Sequence, residues 1–334
     1  MDSNDAWFSV AYAPDGKTVL TGGYDNNVKL WDSQSGVLLH TLQGHANRVN
    51  DVAYAPDGTT VLTGSDDSTA KLWDVQSGLL LHTLQGHTGV VWSVAYAPDG
   101  KTVLTGSGDG TAKLWGVQSG LPLHTLQGDN RGVYKVAYAP DGKTILTGGS
   151  GGGTVNLWDT QSGTLLLTLK GYIGAPKSAV YTPDGKAILM STDDATVKLW
   201  DIQSGALLHT LQGHTDSVLS VAYAPDGKTV LTSSHDHTLK LWDTQSGVLL
   251  HTLGHADAVL DAFYVLDGNT VLTISGYPIL WNAQSGDFIR PLCPLALGRI
   301  WVTVGWGICL VSAIIAVLWF FRGSRRATSP RLKA

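Results

Sequence analysis

A Pro-Asp-Gly turn and a tryptophan that both recur seven times in step, together with a single late apolar run, predict the fold class. It is all-β: a seven-bladed β-propeller of four-stranded antiparallel blades over residues 1–292, followed by one C-terminal transmembrane α-helix. The turns begin at Pro14, Pro56, Pro98, Pro140, Pro183 and Pro225, with a degenerate seventh copy at Leu266, Asp267 and Gly268. The tryptophans are Trp31, Trp73, Trp115, Trp158, Trp200, Trp242 and Trp281, spaced by 42, 42, 43, 42, 42 and 39 residues.

Each unit divides into four short segments. In the second, VNDVAYA, TTVLTG, TAKLWD and LLLHTLQ are rich in β-branched, aromatic and leucine residues and are bounded by turn formers. Proline presets the turn and glycine accepts its positive φ, and the recurrent Gln-Ser-Gly ends the third strand in the same way. One such sheet cannot bury both faces, whereas seven set radially around an axis cover one another. The last outer strand falls near Asp287 to Leu292, so every blade is expected to be contiguous in sequence, with the ring closing by packing and no strand shared between the termini.

Charge is unevenly spread. All 27 acidic residues are aspartate and none lies beyond Asp287, whereas Arg299, Arg322, Arg325, Arg326, Arg331 and Lys333 crowd the end. Residues 1–298 are strongly acidic in balance, which argues against a nucleic-acid partner. The two cysteines, Cys293 and Cys309, give the ring no disulfide, so it stands on its core alone.

Gly-His precedes four of the units, at Gly44/His45, Gly86/His87, Gly213/His214 and Gly254/His255, and Trp-Asp or a variant follows about 28 residues later. On these motifs the chain resembles the WD-repeat family over about 290 residues, in seven registered copies. The resemblance implies a buried hydrogen-bond network in each blade. It falls on His45, Thr63, Asp67 and Trp73; on His87, Thr105, Asp109 and Trp115; and on His214, Thr232, Asp236 and Trp242. The other blades depart, with Ser3 in blade one, Asp129 and Gly152 in blade four, Tyr172 and Met190 in blade five, and no turn aspartate in blade seven. Blades four, five and seven are therefore expected to be the softer part of the ring.

The same histidine, threonine and aspartate could pass for a hydrolase triad, but their repetition at a fixed offset from tryptophan points to scaffold. His235, Asp236 and His237 have a metal-compatible spacing inside a tight turn whose aspartate the network already claims. The glycine-rich residues 148–154 precede no helix, so they lack the N-terminus that makes a phosphate loop work. His40, His82, His124, His209 and His251 alternate with leucines on the outer strand and read as solvated. No catalytic residue, metal site or cofactor is expected.

Comparison among the repeats locates a surface. The Pro-Asp-Gly and Gln-Ser-Gly turns are nearly constant and share one face, while the stretches after Gly-His vary and share the other. Arg48, Trp92, Arg131, Tyr134, Lys135 and Lys177 come from blades two to five and Asp216, Asp257 and Asp261 from blades six and seven. Arginine with aromatics is the pairing that most often anchors interfaces. The first six are the candidate partner-binding residues, with an acidic protein segment as the expected ligand.

Ile300 to Phe321 holds 22 residues without Asp, Lys or Arg, long enough at about 1.5 Å per residue to cross a hydrocarbon core of roughly 30 Å. Residues 293–299 read as a short linker and 322–334 as a basic tail. The basic tail favours a cytoplasmic end by the positive-inside rule, whereas the lack of an export signal favours a cytoplasmic propeller anchored by its tail; the second argument carries more weight. The expectation is thus a membrane-anchored protein-interaction scaffold with a membrane-proximal protein partner. An extracytoplasmic sensor or small-ligand binder with a cytoplasmic tail is the alternative.

Overall fold

The structure, a computed structural model, describes residues 7–32, 35, 37–128, 131–149, 154–170, 176–191, 193–259, 261–264, 269–275 and 277–291. Their strands form seven four-stranded antiparallel sheets, each a meander in which every strand pairs with the next in sequence. In blade two the strands are Val49–Tyr54, Thr60–Ser65, Ala70–Asp74 and Leu80–Leu84. Thr63 pairs there with Val52 on one side and with Lys71 on the other. Blade seven runs Asp261–Tyr264, Thr270–Ser275, Tyr277–Asn282 and Phe288–Pro291, so its outer strand comes from the stretch the sequence indicates and all seven blades are contiguous.

The core lies between blades rather than within them. Leu62, Ala70, Leu72 and Leu84 of blade two pack against Val91, Val94, Val103 and Trp115 of blade three, and the other successive pairs repeat the pattern. Each fully buried leucine or valine contributes about 2 kcal/mol relative to exposure. Blade-on-blade packing is thus the main source of stability, as expected where no unit can bury its own faces.

Three tiers of polar contacts tie neighbouring blades. At the inner strands Asp51 spans three blades, accepting from Ser9 Oγ of blade one (3.0 Å) and from the Val94 N–H of blade three (2.9 Å). Farther out a tyrosine hydroxyl meets a threonine of the preceding blade, as in Tyr54 with Thr18 (2.8 Å) and Tyr96 with Thr60 (2.9 Å).

The outermost tier corrects the reading of the outer-strand histidines as solvated. His40 Nε2 meets the Gln76 carbonyl of the next blade at 3.1 Å, and His82, His124, His209 and His251 do the same with Gln118, Gln161, Gln245 and Gln284. The constant Gln-Ser-Gly turn is the receptor for this ring. Gly78, at φ +69°, would place a Cβ only 2.9 Å from His40 Nδ1, so the glycine supplies both the turn and the room.

Blade five breaks the middle tier. Ala187 stands where other blades carry threonine, and the Tyr223 hydroxyl of blade six is buried without a partner among the described residues. Ala187→Thr is expected to restore the bond and raise stability by about 1 kcal/mol. The check is thermal melting of Ala187→Thr with and without Tyr223→Phe: a gain that survives loss of the tyrosine hydroxyl would refute the pairing.

No helix among the described residues is long and apolar enough to cross a membrane. The linker 293–299, the apolar segment 300–321 and the tail 322–334 lie outside the described residues, as do Ser3, Asp129, Gly152 and Tyr172.

Candidate functional site

The variable face is held by the networks beneath it. In blade three Trp115 Nε1 donates to Thr105 Oγ1 (2.9 Å), which lies 2.7 Å from His87 Nε2, while His87 Nδ1 donates to Asp109 Oδ2 (2.8 Å). Blade two repeats this with Trp73, Thr63, His45 and Asp67, and blade six with Trp242, Thr232, His214 and Asp236, all within 2.7–3.0 Å. In blades two and six the glycine before the histidine lies close over the Trp ring: a Cβ on Gly44 would come within 3.2 Å of Trp73 and one on Gly213 within 3.3 Å of Trp242.

In blade three the relay accommodates a neutral imidazole, with the Thr105 hydroxyl donating to His87 Nε2 and the Nδ1–H donating to an ionised Asp109. Burial lowers the His87 and His214 pKa values, against the opposing pull of Asp109 and Asp236. Burial alone would raise the aspartates, but hydrogen bonds outweigh it. Those from Thr111, the Thr88 N–H and His87 bring Asp109 down to about 2, and those from Thr238, the Thr215 N–H and His214 bring Asp236 to about 2. Asp67 is held well below the usual carboxylate range in the same way. Thr105 Oγ1 is buried and accepts the indole proton, so it offers no exposed nucleophile.

The aspartate also pins the loop that follows Gly-His. Asp67 Oδ2 accepts from the Ala46 N–H (2.9 Å) and Asp109 Oδ2 from the Thr88 N–H (3.0 Å), fixing the variable stretches to the turns beside them. In blades one and five the turn carboxylate takes a cation: Asp25 pairs with Lys29 (2.8 Å) and Asp194 with Lys198 (2.9 Å). The matching Lys71, Lys113 and Lys240 of the complete blades instead donate to outer-strand threonines at 3.0–3.1 Å. Blade seven keeps part of the relay, with His255 Nε2 2.8 Å from Thr273 Oγ1 and Trp281 Nε1 donating to it (3.0 Å). In blade five Met190, fully buried, replaces the hydroxyl.

On this frame stands an aromatic and guanidinium stack that crosses four blades. The Trp92 ring of blade three lies on Tyr134 of blade four, with centroids 5.6 Å apart and planes 20° apart. The Arg48 guanidinium of blade two lies 5.8 Å from the Trp92 ring and 5.8 Å from the ring of Tyr24 in blade one. Asp66 holds Arg48 through a 2.5 Å ion pair and accepts from Asn50 Nδ2 (2.7 Å). Gly108 makes room for the indole, since a Cβ there would come within 3.2 Å of Trp92 Nε1.

The six residues proposed from sequence thus separate. Arg48, Trp92 and Tyr134 form the stack, and Arg131 is exposed in the loop just before Tyr134. Lys177 pairs with Asp193 at 3.2 Å. Lys135 corrects the expectation of a rim residue: it shares the register position of Asp51 and Ser93 on the inner strands, and its charge acts on Asp261 of blade seven. Tyr134 is the extra residue of a β-bulge between Val133 and Lys135, which sets Lys135 opposite Gly148 in the ladder and leaves Tyr134 unpaired beside it.

The expected cationic patch is therefore replaced by a largely ion-paired, aromatic surface. Tyr24, nearly half exposed, was missed. Its signal was present, because it is the aromatic residue at the turn position that Asp66 and Gly108 occupy in the next two units. Asp236 is used by its network and His237 Nδ1 approaches the Ala256 carbonyl (3.0 Å), and no group of three metal-ligating side chains converges among the described residues.

Comparison with known proteins agrees with this architecture. The most similar curated relatives include the dynein assembly factor with WD repeat domains 1 of Xenopus laevis and of Danio rerio, each 49% identical over 41 residues, 12% of this chain and 10% of theirs. A periodic tryptophan protein 2 homolog of Dictyostelium discoideum is 46% identical over 44 residues, 13% of this chain and 5% of its own. The chain therefore spans a tenth or less of the length of these relatives, about one repeat. The profile described as "WD domain, G-beta repeat" matches residues 3–32, 36–74, 78–116, 120–159, 163–201 and 205–243, leaving the degenerate seventh unit to be recognised by its sheet. With more than half of its length matched and seven four-stranded blades in the ring, the chain belongs to the WD-repeat family.

Proposed function

We propose that the protein is an interaction scaffold that grips an extended segment of a protein partner on the variable face of blades one to four. The observation that carries this reading is the stack of Tyr24, Arg48, Trp92 and Tyr134, in which Trp92 and Tyr134 stand near the starts of inner strands and Arg48 is held by Asp66. Aromatic rings and a pre-positioned guanidinium offer broad contact area with little side-chain entropy left to lose. Ion pairing of Arg48 and Lys177 shifts the favoured ligand from a purely acidic segment toward one with flat or apolar side chains that stack.

The finer reading places this scaffold at a membrane through residues 300–321, with the propeller cytoplasmic and the partner membrane-proximal. Its support is the length and apolarity of that segment and the position of Pro291, which ends the last outer strand nine residues before Ile300.

Trp92→Ala and Tyr134→Ala are expected to weaken capture of the protein's own partners at least 10-fold, because each removes a central anchor. Stacking of the pair is worth only about 1 kcal/mol, so folding should persist. Quantitative comparison of proteins cross-linked to wild type and to each variant in intact cells is the check, and unchanged capture would eliminate this face. Alkaline extraction of membranes in the same cells tests the anchor separately: release of the full chain would remove the membrane from the reading and leave the scaffold.

A further inference from the structure

We infer that the constant face of the ring is a self-association surface, on which two copies of this chain meet face to face. In a meander the first and third turns of each blade lie at one end, so Pro-Asp-Gly and Gln-Ser-Gly share the face opposite the aromatic stack. Seventeen of the eighteen large apolar side chains exposed among the described residues lie at that end, in the first two residues of an outer strand or the residue before it. The most exposed are Leu79 (66%), Leu121 (64%), Val248 (58%), and Val37 and Leu166 (both 56%). All seven blades contribute, so the apolar residues form an interrupted ring around one rim.

Area and charge both select a second copy as the occupant. Together these side chains, spread over seven blades, offer on the order of 1,000 Å² of apolar surface, comparable with the share of one partner in a standard interface. A convex edge meeting another edge would engage one blade of each ring, whereas face-to-face contact engages the whole rim.

Inside the rim the same face carries self-complementary charge. Lys17 with Asp15, Lys101 with Asp99 and Lys143 with Asp141 stand side by side at 3.1–3.7 Å, with the lysines 75–82% exposed. Blades five and six repeat the pair with Lys186 and Asp184, and with Lys228 and Asp226. Rotating one copy by a two-fold axis can set lysine against aspartate around the ring, the isologous arrangement that closes as a dimer. Such a pair turns both variable faces outward and makes the scaffold bivalent, although the dimer itself stands independently of the partner reading.

The test is the mass of the full chain in detergent, with the detergent contribution subtracted, by light scattering across 1 to 50 µM, roughly the range in which a standard-size interface populates a dimer. Wild type is expected at twice the chain mass of 35.4 kDa. Leu79→Lys combined with Leu121→Lys and Val248→Lys is expected to weaken dimerisation about 100-fold or more, because apolar contact is lost and like charges are brought together. Trp92→Ala should leave the mass unchanged. In a Cys293→Ser, Cys309→Ser background, Leu121→Cys should oxidise to a cross-linked dimer. A wild-type monomer at the highest concentration, a dimer indifferent to the triple variant, or a monomer whose rim instead binds lipid vesicles would each overturn the inference.

Discussion

Thr105→Val is expected to destabilise blade three by about 3 kcal/mol, as the matching changes at Thr63 and Thr232 should in their blades. Valine keeps the shape and removes the oxygen. Trp115 Nε1 then has a buried proton with no acceptor and His87 Nε2 loses the hydroxyl 2.7 Å away, in surroundings where Thr105 and Trp115 are almost wholly buried. Each orphaned group costs about 1–3 kcal/mol, whereas a satisfied bond contributes only about 1 kcal/mol net, so the penalty comes mainly from what is left behind. Thr105→Ser retains the hydroxyl and should cost much less. Thr125→Val, which removes only the outer acceptor of Lys113, should be close to neutral. Hydrogen exchange of the Trp115 indole proton and of blade-three amides reads the effect locally, and equal protection in Thr105→Val and Thr105→Ser would refute it.

Acidification from pH 7.5 to pH 5 is expected to lower the stability of the whole ring. Burial depresses the pKa values of His87, His214 and His255 below the ordinary histidine range, with Asp109, Asp236 and the Leu253 carbonyl opposing it only in part. Between the depressed folded value and the ordinary unfolded value near 6.5 the unfolded chain binds more protons, so stability falls as pH falls through that window. Each histidine can contribute up to about 1.4 kcal/mol per pH unit there. A second loss should follow between pH 4 and 2, where Asp109 and Asp236, held at about 2, resist protonation that the unfolded chain accepts near pH 4. Urea unfolding midpoints at pH 7.5, 6.5, 5.5 and 5.0 check the first window. His255→Gln should flatten the slope, and a midpoint that rises on acidification would contradict the neutral-imidazole assignment.

Much of the fold was legible because its causes are local and repeated. Pro-Asp-Gly and Gln-Ser-Gly fix turns by backbone geometry alone, and tryptophan spacing sets the blade length, so seven contiguous sheets followed from the sequence. Contacts between blades were less legible. His40 alternates with leucines as a solvated residue would, and only the approach of the next blade's Gln76 carbonyl gives it a partner. That bond joins residues 36 apart, and nothing in either strand alone encodes it.

The candidate site divides along the same line. Internal comparison of the repeats singled out Arg48, Trp92 and Tyr134, because copies of one unit differ where their surroundings differ. It also grouped Lys135 with them, although the bulge at Tyr134 sets that residue at the register position of Asp51 and Ser93 on the inner strands. The sequence by itself determined the number of blades, their strands and turns, the residues of the three complete networks and the apolar character of residues 300–321. Only the tertiary structure decided that Arg48 is held between Tyr24 and Trp92 with Asp66 behind it, and that the exposed leucines share one rim. The physical reason is that periodicity and turn chemistry act along a few consecutive residues, while stacking, ion pairing and shared exposure arise between blades that a radial fold brings side by side.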